Sequence, residues 1–595
     1  MTHSMHPARH RRARLVTRLA VVVLLATGGL VTDLASTATT HPAYAHAYLL
    51  ETSPVDGEVL ASPPAEVRLR FDDAVSFNDR SIQLLDTNAK KLAIGTAGHV
   101  DGKANTARVS LPTDLTEGTY VLAWRVTSAD SHVVSGAFSF SIGHPSATAA
   151  PLEQDAHRAV LVVDAVGRAV AFVGLALALG GALFVAVLWP AGRTGRRGRR
   201  IVWSGFAVLA AGTVVVLLVQ GPYAAGTSLA GVFDPDLLGA ALSTRLGHAL
   251  LARLVIVLAL GVAFGIAVRP NFPAATTGTA GATRRIVLPA VAAVGAVALT
   301  LTWALADHAQ TGVQTWLAVP ATSLHLLAMA VWLGGLITLA ACVLIPAGRR
   351  ETSQVITLEP ALPRFSRLAQ VCFALIAVTG VYLSWRQVGT WAALGATDFG
   401  RLLLGKLAVV LAVVGLAAGA RRFVRRRGRE PLGLDTAPSA AVRRLRRSVV
   451  GEILLGVAVV SITAVLVNTA PARTSYAPPV HTTVPIPAAA AGSAAGLWDT
   501  SVEVKIEPAR SGSNVADIYL TGPDGSLVAV PEISGQLESP DREVPALPVT
   551  VTAAEPGHYV ANSMSIPFPG VWVLRLDIRV SDFDETPVRV QFTAR

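Results

Sequence analysis

The sequence predicts a multidomain protein: an N-terminal all-β, immunoglobulin-like sandwich, an all-α polytopic membrane domain of about eight helices, and a C-terminal all-β sandwich. Three observations carry that prediction. Of 595 residues, 52% are hydrophobic and only 15% charged, which is too apolar for one soluble domain and long enough for several. The apolar residues gather in the middle, in stretches long enough to cross a hydrocarbon core of about 30 Å. On both sides the pattern changes to short alternating runs between turn residues, the period of strands. The formal net charge of +11 is spread as short basic clusters between apolar runs, a membrane signature, and no nucleic-acid partner is expected. The two cysteines, Cys342 and Cys372, both lie inside apolar runs, so neither flanking region can hold an internal disulfide.

Residues 1–45 read as a signal peptide. Arg9, Arg11, Arg12, Arg14 and Arg18 precede an apolar run from Leu19 to Leu30, and a polar stretch closes on Ala43-x-Ala45. Cleavage after Ala45 makes His46 the first residue of the mature chain. A histidine there offers two nitrogens, the ring Nδ1 and an α-amine whose usual pKa is roughly 8, and together they can close a chelate on one ion. Copper(II) heads the divalent affinity order and favours nitrogen and oxygen donors in a plane. The competing reading is that cleavage happens to fall before a histidine.

From 46 to 145 the inward positions are Val67, Leu69 and Phe71, then Ile82 and Leu84, then Val109 and Leu111. Tyr120, Leu122, Trp124 and Val126 follow, and Phe138, Phe140 and Ile142 close the set. A β-sandwich of about 100 residues is the simplest fold for this pattern. Between the last two strands lies the polar stretch Thr127 to Gly136. Asp130 and His132 are two apart, so on extended backbone both project to one side and can meet one ion. A solvated turn accounts for either residue alone. His99 and His144 are expected on the surface.

The N-terminal His46, followed by Ala-x-Leu and Ser53-Pro54, then Phe71-Asp72, Tyr120, Trp124-Arg125-Val126, Ser128-x-Asp130-x-His132, Gly136 and Phe138-x-Phe140, resembles the CopC family of periplasmic copper-resistance proteins. The resemblance implies that His46, Asp130 and His132 hold Cu(II). Ser131 stands where the family commonly has glycine. The stretch has no methionine, which argues against a thioether Cu(I) site.

Between 150 and 475, eight apolar stretches fall near 160–189, 201–221, 247–268, 286–306, 315–346, 367–388, 402–422 and 448–469. Arginines cluster after the first, third, fifth and seventh, including Arg196, Arg284, Arg364 and the run from Arg421 to Arg447. Eight crossings then return both soluble parts to the extracytoplasmic face. Ionisable side chains inside spans are costly, so they are either paired or functional. Asp164 and Arg168, four apart, are expected to pair. His248 and His308 are candidates for a copper path. So are His325 and Met329, which share one helical face with Trp332, while Gly334-Gly335 admits a close neighbour. Met329 as apolar filler and Cys372 as a small buried residue are the plainer readings.

His325 to Gly335, Arg364-Phe365-Ser366-Arg367-Leu368, Thr379-Gly380, Phe399 to Lys406 and Glu452 resemble the CopD family of copper-resistance membrane proteins. The whole is similar to a fusion of CopC and CopD, and the resemblance implies copper passage across the cytoplasmic membrane, usually described as uptake.

A Pro/Ala-rich linker is expected at 476–497 and a second β-sandwich at 498–595. Its inward set is read as Val502, Val504, Ile506, Ile518, Leu520, Val549, Val551, Val571, Val573, Leu576, Val588, Val590 and Phe592. His558 and Met564 suggest a metal-handling loop, against a plain structural domain.

The function expected is transport rather than catalysis, with no Gly-Lys-Ser/Thr phosphate loop to drive it. Copper(II) is captured by the extracytoplasmic domain and passed to the membrane domain. An extracytoplasmic copper donor or reductase is the expected protein partner. Two other classes stay open: a membrane haem or redox protein using His248, His308 or His325, and a copper-dependent oxidative enzyme built on His46.

Overall fold

The computed structural model describes residues 47, 49–128, 133–146, 158–189, 195–268, 279–306, 309, 314–344, 361–426, 440–486, 500–540, 546–566, 570–579 and 585–594. His46, Asp130, His132, His308 and the expected signal peptide lie outside these residues. The described residues fall into two compact units, one β and one helical.

In the β unit, the N-terminal sandwich opposes two sheets. The smaller has the order β1-β3-β7, from β1 (Leu49–Ser53), β3 (Glu66–Phe71) and β7 (Thr106–Ser110). The larger runs β2-β9-β8-β5-β6, from β2 (Glu58–Leu60), β5 (Ile82–Leu85), β6 (Lys91–Leu92), β8 (Gly118–Ser128) and β9 (Val133–Ile142), with β4 (Val75–Ser76) also on β8. Every inward position expected for this domain is buried, from Val67 to Ile142, because alternation on half-buried strands leaves one face for the core. All 11 residues of β8 are buried, as a central strand covered on both faces requires. Asp56 fixes the parallel β2–β9 pair by accepting a hydrogen bond from Ser139 N at 2.9 Å. Burial pushes its carboxyl pKa up, against the lowering effect of the Ser139 bonds.

The C-terminal sandwich pairs a five-stranded sheet with a four-stranded one. The first has the order β10-β11-β12-β16-β15: β10 (Val480–Pro485), β11 (Ser501–Glu507), β12 (Gly512–Thr521), β15 (Thr552–Glu555) and β16 (His558–Ile566). The second is β14-β13-β17-β18: β13 (Glu532–Glu538), β14 (Leu547–Val549), β17 (Gly570–Arg579) and β18 (Glu585–Ala594). β10 lies inside the stretch read as linker and pairs with β11 along its whole length. On β17 the inward residues are Trp572, Leu574, Leu576 and Ile578. The expected set of Val571, Val573 and Leu576 mixed both faces of a period-2 strand, and Trp572 decides the register by filling the core at 0% exposure.

The helical unit holds α1 (Arg158–Leu188), α2 (Arg196–Ala225), α3 (Pro235–Leu242), α4 (Arg245–Ala267) and α5 (Thr279–Ala304). It continues with α6 (Thr315–Leu339), α7 (Ala361–Val388), α8 (Trp391–Ala396), α9 (Asp398–Arg426) and α10 (Ala440–Leu466). Each of the eight expected stretches corresponds to a helix over most of its described residues. Among the described residues seven helices are long and apolar enough to cross a membrane, and within α5 the apolar part is Pro289–Ala304. The short α3 starts where Pro235 takes the first helical position and the Asp234 carboxylate accepts from Asp236 N at 3.1 Å. Thr244 caps α4 by accepting from Gly247 N at 3.0 Å.

Glycines set how closely the first helices meet. A Cβ on Gly212 of α2 would lie 2.6 Å from Ala171 N of α1. α1 carries a π-turn at Ala176–Gly180, and α6 packs directly on it. A Cβ on Gly334 would fall within the Ala176 carbonyl group, and one on Gly180 within that of Ala330. The close approach expected at Gly334-Gly335 is therefore a backbone-to-backbone contact of α6 with α1, and Gly335 meets the Phe365 ring of α7.

Candidate metal sites

β8 and β9 carry the chain up to and away from residues 129–132, and Val75 of β4 pairs with Ser128 at the end of β8. On the other sheet Leu49 pairs with Phe71. Ala47, fully buried, shares one core with Phe71, Trp124 and Val126. The Phe71 and Trp124 rings meet edge to face at 5.3 Å. Gly136 lies under that indole, where a Cβ would stand 2.6 Å from the ring, so the glycine is a packing requirement of β9. Ala47, next to His46, is thus held in that core, and Ser128 and Val133, on either side of residues 129–132, end β8 and begin β9.

The two other histidines of this domain are engaged. His99 Nδ1 lies 2.6 Å from Thr106 O and its ring packs on Phe77. His144, exposed, pairs with Glu117 at 3.1 Å.

In the helical unit the side chain brought into a defined polar setting is His325. Its Nδ1 lies 2.9 Å from Thr379 Oγ1 of α7. That hydroxyl donates its one proton to Leu375 O at 2.6 Å, so the imidazole is the donor and its Nδ1 carries the hydrogen. Nε2 is left with a lone pair, the form in which imidazole binds metal. Gly380 makes room for the ring, since a Cβ there would lie 3.3 Å from Cε1.

Met329 and Trp332, on the same face of α6, pack against the apolar cluster of α1, α2, α4 and α5, which is the filler role. His248 is exposed in the first turn of α4. Cys372 is buried, as a small apolar residue would be. Among the described residues no three His, Cys, Asp or Glu side chains converge as a metal site. Asp164 and Arg168 pair at 2.7 Å, and Asn468, beyond the end of α10, adds a bond of 2.6 Å to the same Asp164 oxygen.

In the C-terminal sandwich Met564 is fully buried while His558 bonds Asp517 at 2.9 Å on the outer face. A register shift opposite Asn514–Ala516 sends the two to opposite faces, so they form no common loop site.

Sequence reasoning missed Thr379 as the partner of His325 and Asn468 as the partner of Asp164. Thr379-Gly380 was visible as a motif, but the pairing spans 54 residues and the second spans 304, with no local signal.

Residues 49–143 match the family described as CopC domain, and residues 359–466 match Copper resistance protein D. The second match covers α7, α8, α9 and α10. The chain is 26% identical over 561 residues to the "Copper transport protein CutJ" of Bacillus subtilis (strain 168), spanning 92% of this chain and 96% of that protein. It is 36% identical over 107 residues to "Copper resistance protein C" of Xanthomonas campestris pv. juglandis, 17% of this chain and 82% of that one. Among solved structures, that of CopC from Methylosinus trichosporium OB3b is 30% identical, with 18% of this chain and all 100% of that chain covered at a TM-score of 0.16.

Proposed function

Since the chain belongs to the copper-resistance proteins of the CopC family, and carries a Copper resistance protein D domain in the same polypeptide, we propose that it captures Cu(II) outside the cytoplasm and passes it through its membrane helices. Copper transport or resistance is the function these families share with it, and it is a multi-pass membrane protein. In the finer reading, His46 chelates Cu(II) through its α-amine and Nδ1 once residues 1–45 are removed. Asp130 and His132 supply a carboxylate and a second imidazole, and no catalytic turnover is involved. Both soluble domains face outward, and the ion then moves inward past His325, with reduction by a partner where Cu(I) is the species in transit.

The observation that carries the reading is that Ala47 is buried in the core of the N-terminal sandwich and that β8 and β9 end and begin at Ser128 and Val133. The residues before Ala47 and between Ser128 and Val133 are those that supply the nitrogen and oxygen donors. In the membrane, His325 offers Nε2, since its Nδ1 is engaged with Thr379 Oγ1.

The test uses the full-length protein with its mature N-terminus verified by mass spectrometry. His46→Ala, or one alanine inserted between Ala45 and His46, lowers Cu(II) affinity about a hundredfold or more in competition with a chromophoric chelator, as expected for loss of a two-nitrogen chelate. Unchanged affinity overturns the chelate. Radiocopper uptake into vesicles of known orientation gives the direction, and accumulation only in the opposite orientation overturns import.

A further inference from the structure

We propose that the pocket at the start of α2 binds the headgroup of an anionic glycerophospholipid. This inference rests on the chain being a multi-pass membrane protein and does not depend on the copper reading. The pocket, about 370 Å³ in volume, is lined by Arg196, Arg199, Arg200 and Trp203. A space of that order suits a small-molecule ligand. The spacing i, i+3, i+4, i+7 puts all four residues on one face of α2, with the guanidiniums at its end and the indole one turn further along.

Among the described residues no carboxylate pairs with any of these three arginines. The sequence has no Asp or Glu between Asp164 and Asp234, nor between Asp236 and Asp307. The chain leading into α2 and the chain leaving α4 therefore offer none. Arg196 and Arg200 are exposed, while the Nε of half-buried Arg199 is shielded from solvent and meets no hydrogen-bond partner among the described residues. A guanidinium nitrogen withdrawn from water and left unbonded carries a desolvation cost that an acceptor on a ligand would recover.

Trp203 points to a lipid rather than a dissolved anion. Its ring packs edge to face on Phe206 at 6.1 Å and on Phe264 of α4 at 5.9 Å, yet stays 44% exposed. Gly265 admits it, since a Cβ there would lie 3.2 Å from the indole. Leu258, Gly261, Val262 and Gly265 repeat the i, i+3, i+4, i+7 spacing on α4, so the exposed apolar strip of Leu251, Val255, Leu258 and Val262 leads to the indole. An indole between an apolar strip and a cationic end is the arrangement of an interfacial anchor. A phosphodiester accepts paired N–H bonds from guanidinium, and its acyl chain lies along the strip. A zwitterionic headgroup brings its own cation to three like charges, so the pocket selects lipids of net negative charge.

The experiment titrates purified full-length protein in a neutral detergent with phosphatidylglycerol or phosphatidylcholine, counting bound lipid by native mass spectrometry and following thermal unfolding. The expected result is saturable retention of phosphatidylglycerol with a rise in Tm, and neither with phosphatidylcholine. Arg196→Gln, Arg199→Gln and Arg200→Gln together weaken the apparent affinity about a hundredfold, the size expected for three basic side chains at a membrane surface. Arg199→Gln alone weakens it about fivefold and carries the test where the triple change fails to fold. Arg443→Gln, Arg444→Gln and Arg446→Gln, which remove the same charge from the start of α10, leave retention unchanged. Equal retention of phosphatidylcholine overturns the proposal, as does undiminished retention in the α2 variants or an equal loss in the α10 variant. Displacement of the lipid by soluble glycerol 3-phosphate at matched concentration overturns it too, since the site is then one for a dissolved anion.

Discussion

The two sides of α6 are built differently. Toward α1 it meets the neighbour through glycine and backbone, at Gly334, Gly180 and the π-turn Ala176–Gly180. Toward α7 it meets it through side chains, with one imidazole bonded to one hydroxyl and one glycine against a Phe ring. Burial follows the same division. Over their apolar windows 56% of α1 and 50% of α6 are buried, against 11% of α7 and 11% of α9. In lipid, apolar burial gives little drive for helix association, so close van der Waals packing has to supply it, and small residues are what permit that packing. The α1–α2–α6 side is therefore the fixed frame. The α7–α9 side turns most of its apolar surface outward, and α7 packs on α6 through side chains, the His325–Thr379 bond among them. Most of the match to Copper resistance protein D falls on that second side.

The largest effect that would test this contrast comes from adding a methyl group on each side. Gly334→Ala places a Cβ inside the Ala176 carbonyl and is expected to destabilise the protein by about 3 kcal/mol or more, through overpacking and loss of the contact. Gly415→Ala on α9 meets nothing within 4 Å and is expected to be neutral or stabilising by up to about 1 kcal/mol, by helix propensity. Thermal unfolding in detergent reads both, and equal responses would break the contrast.

Next in size is the α6–α7 contact. His325→Ala is expected to cut cellular copper accumulation about tenfold at unchanged protein level, the effect of losing one ligand-type contact of about 1.4 kcal/mol. Thr379→Val keeps the shape, leaves Nδ1–H without its acceptor, and should cost about 1–3 kcal/mol while lowering accumulation less than His325→Ala. Normal accumulation in His325→Ala would remove the residue from the path. A Thr379→Val protein as stable as its parent would leave the α6–α7 tie without energetic weight.

The smallest effect concerns the tie from beyond α10 back to α1. Asn468→Ala removes one bond to the Asp164 carboxylate, whose second oxygen has no hydrogen-bond partner among the described residues, and should cost about 1–2 kcal/mol. Asp164→Ala in the same background should cost more than the single Asn468→Ala change, since it also removes the carboxylate that pairs with Arg168 at 2.7 Å.

Much of this architecture could be read from residue patterns. The alternation of Leu69, Phe71, Leu122 and Trp124 gave the N-terminal core residue by residue, because a period of 2 has only two faces to choose between. The eight apolar stretches and the small residues Gly334-Gly335 were equally plain, since lipid permits few alternatives. β17 was misread where Val571 and Val573 looked as apolar as Trp572, and only packing volume separates the two faces. β10 was missed because Pro479 and Pro485 bracket it in a stretch that composition reads as linker. Of the site residues, Asp164 and Arg168 were found from their spacing of four. Thr379 was not, because contact between distant helices leaves no trace in local order. His46, Asp130 and His132 rest on residue type, spacing and family likeness.

The hydroxyl of Thr379, committed to the Leu375 carbonyl, fixes which nitrogen of His325 is free. A cation that binds there displaces no hydrogen, so the step takes up full positive charge and gives none back. Movement past that point would then carry current, and a potential of 100 mV would bias it by about 2.3 kcal/mol for each elementary charge. For the proposed copper passage, that voltage would supply a direction without the Gly-Lys-Ser/Thr phosphate loop that the sequence lacks.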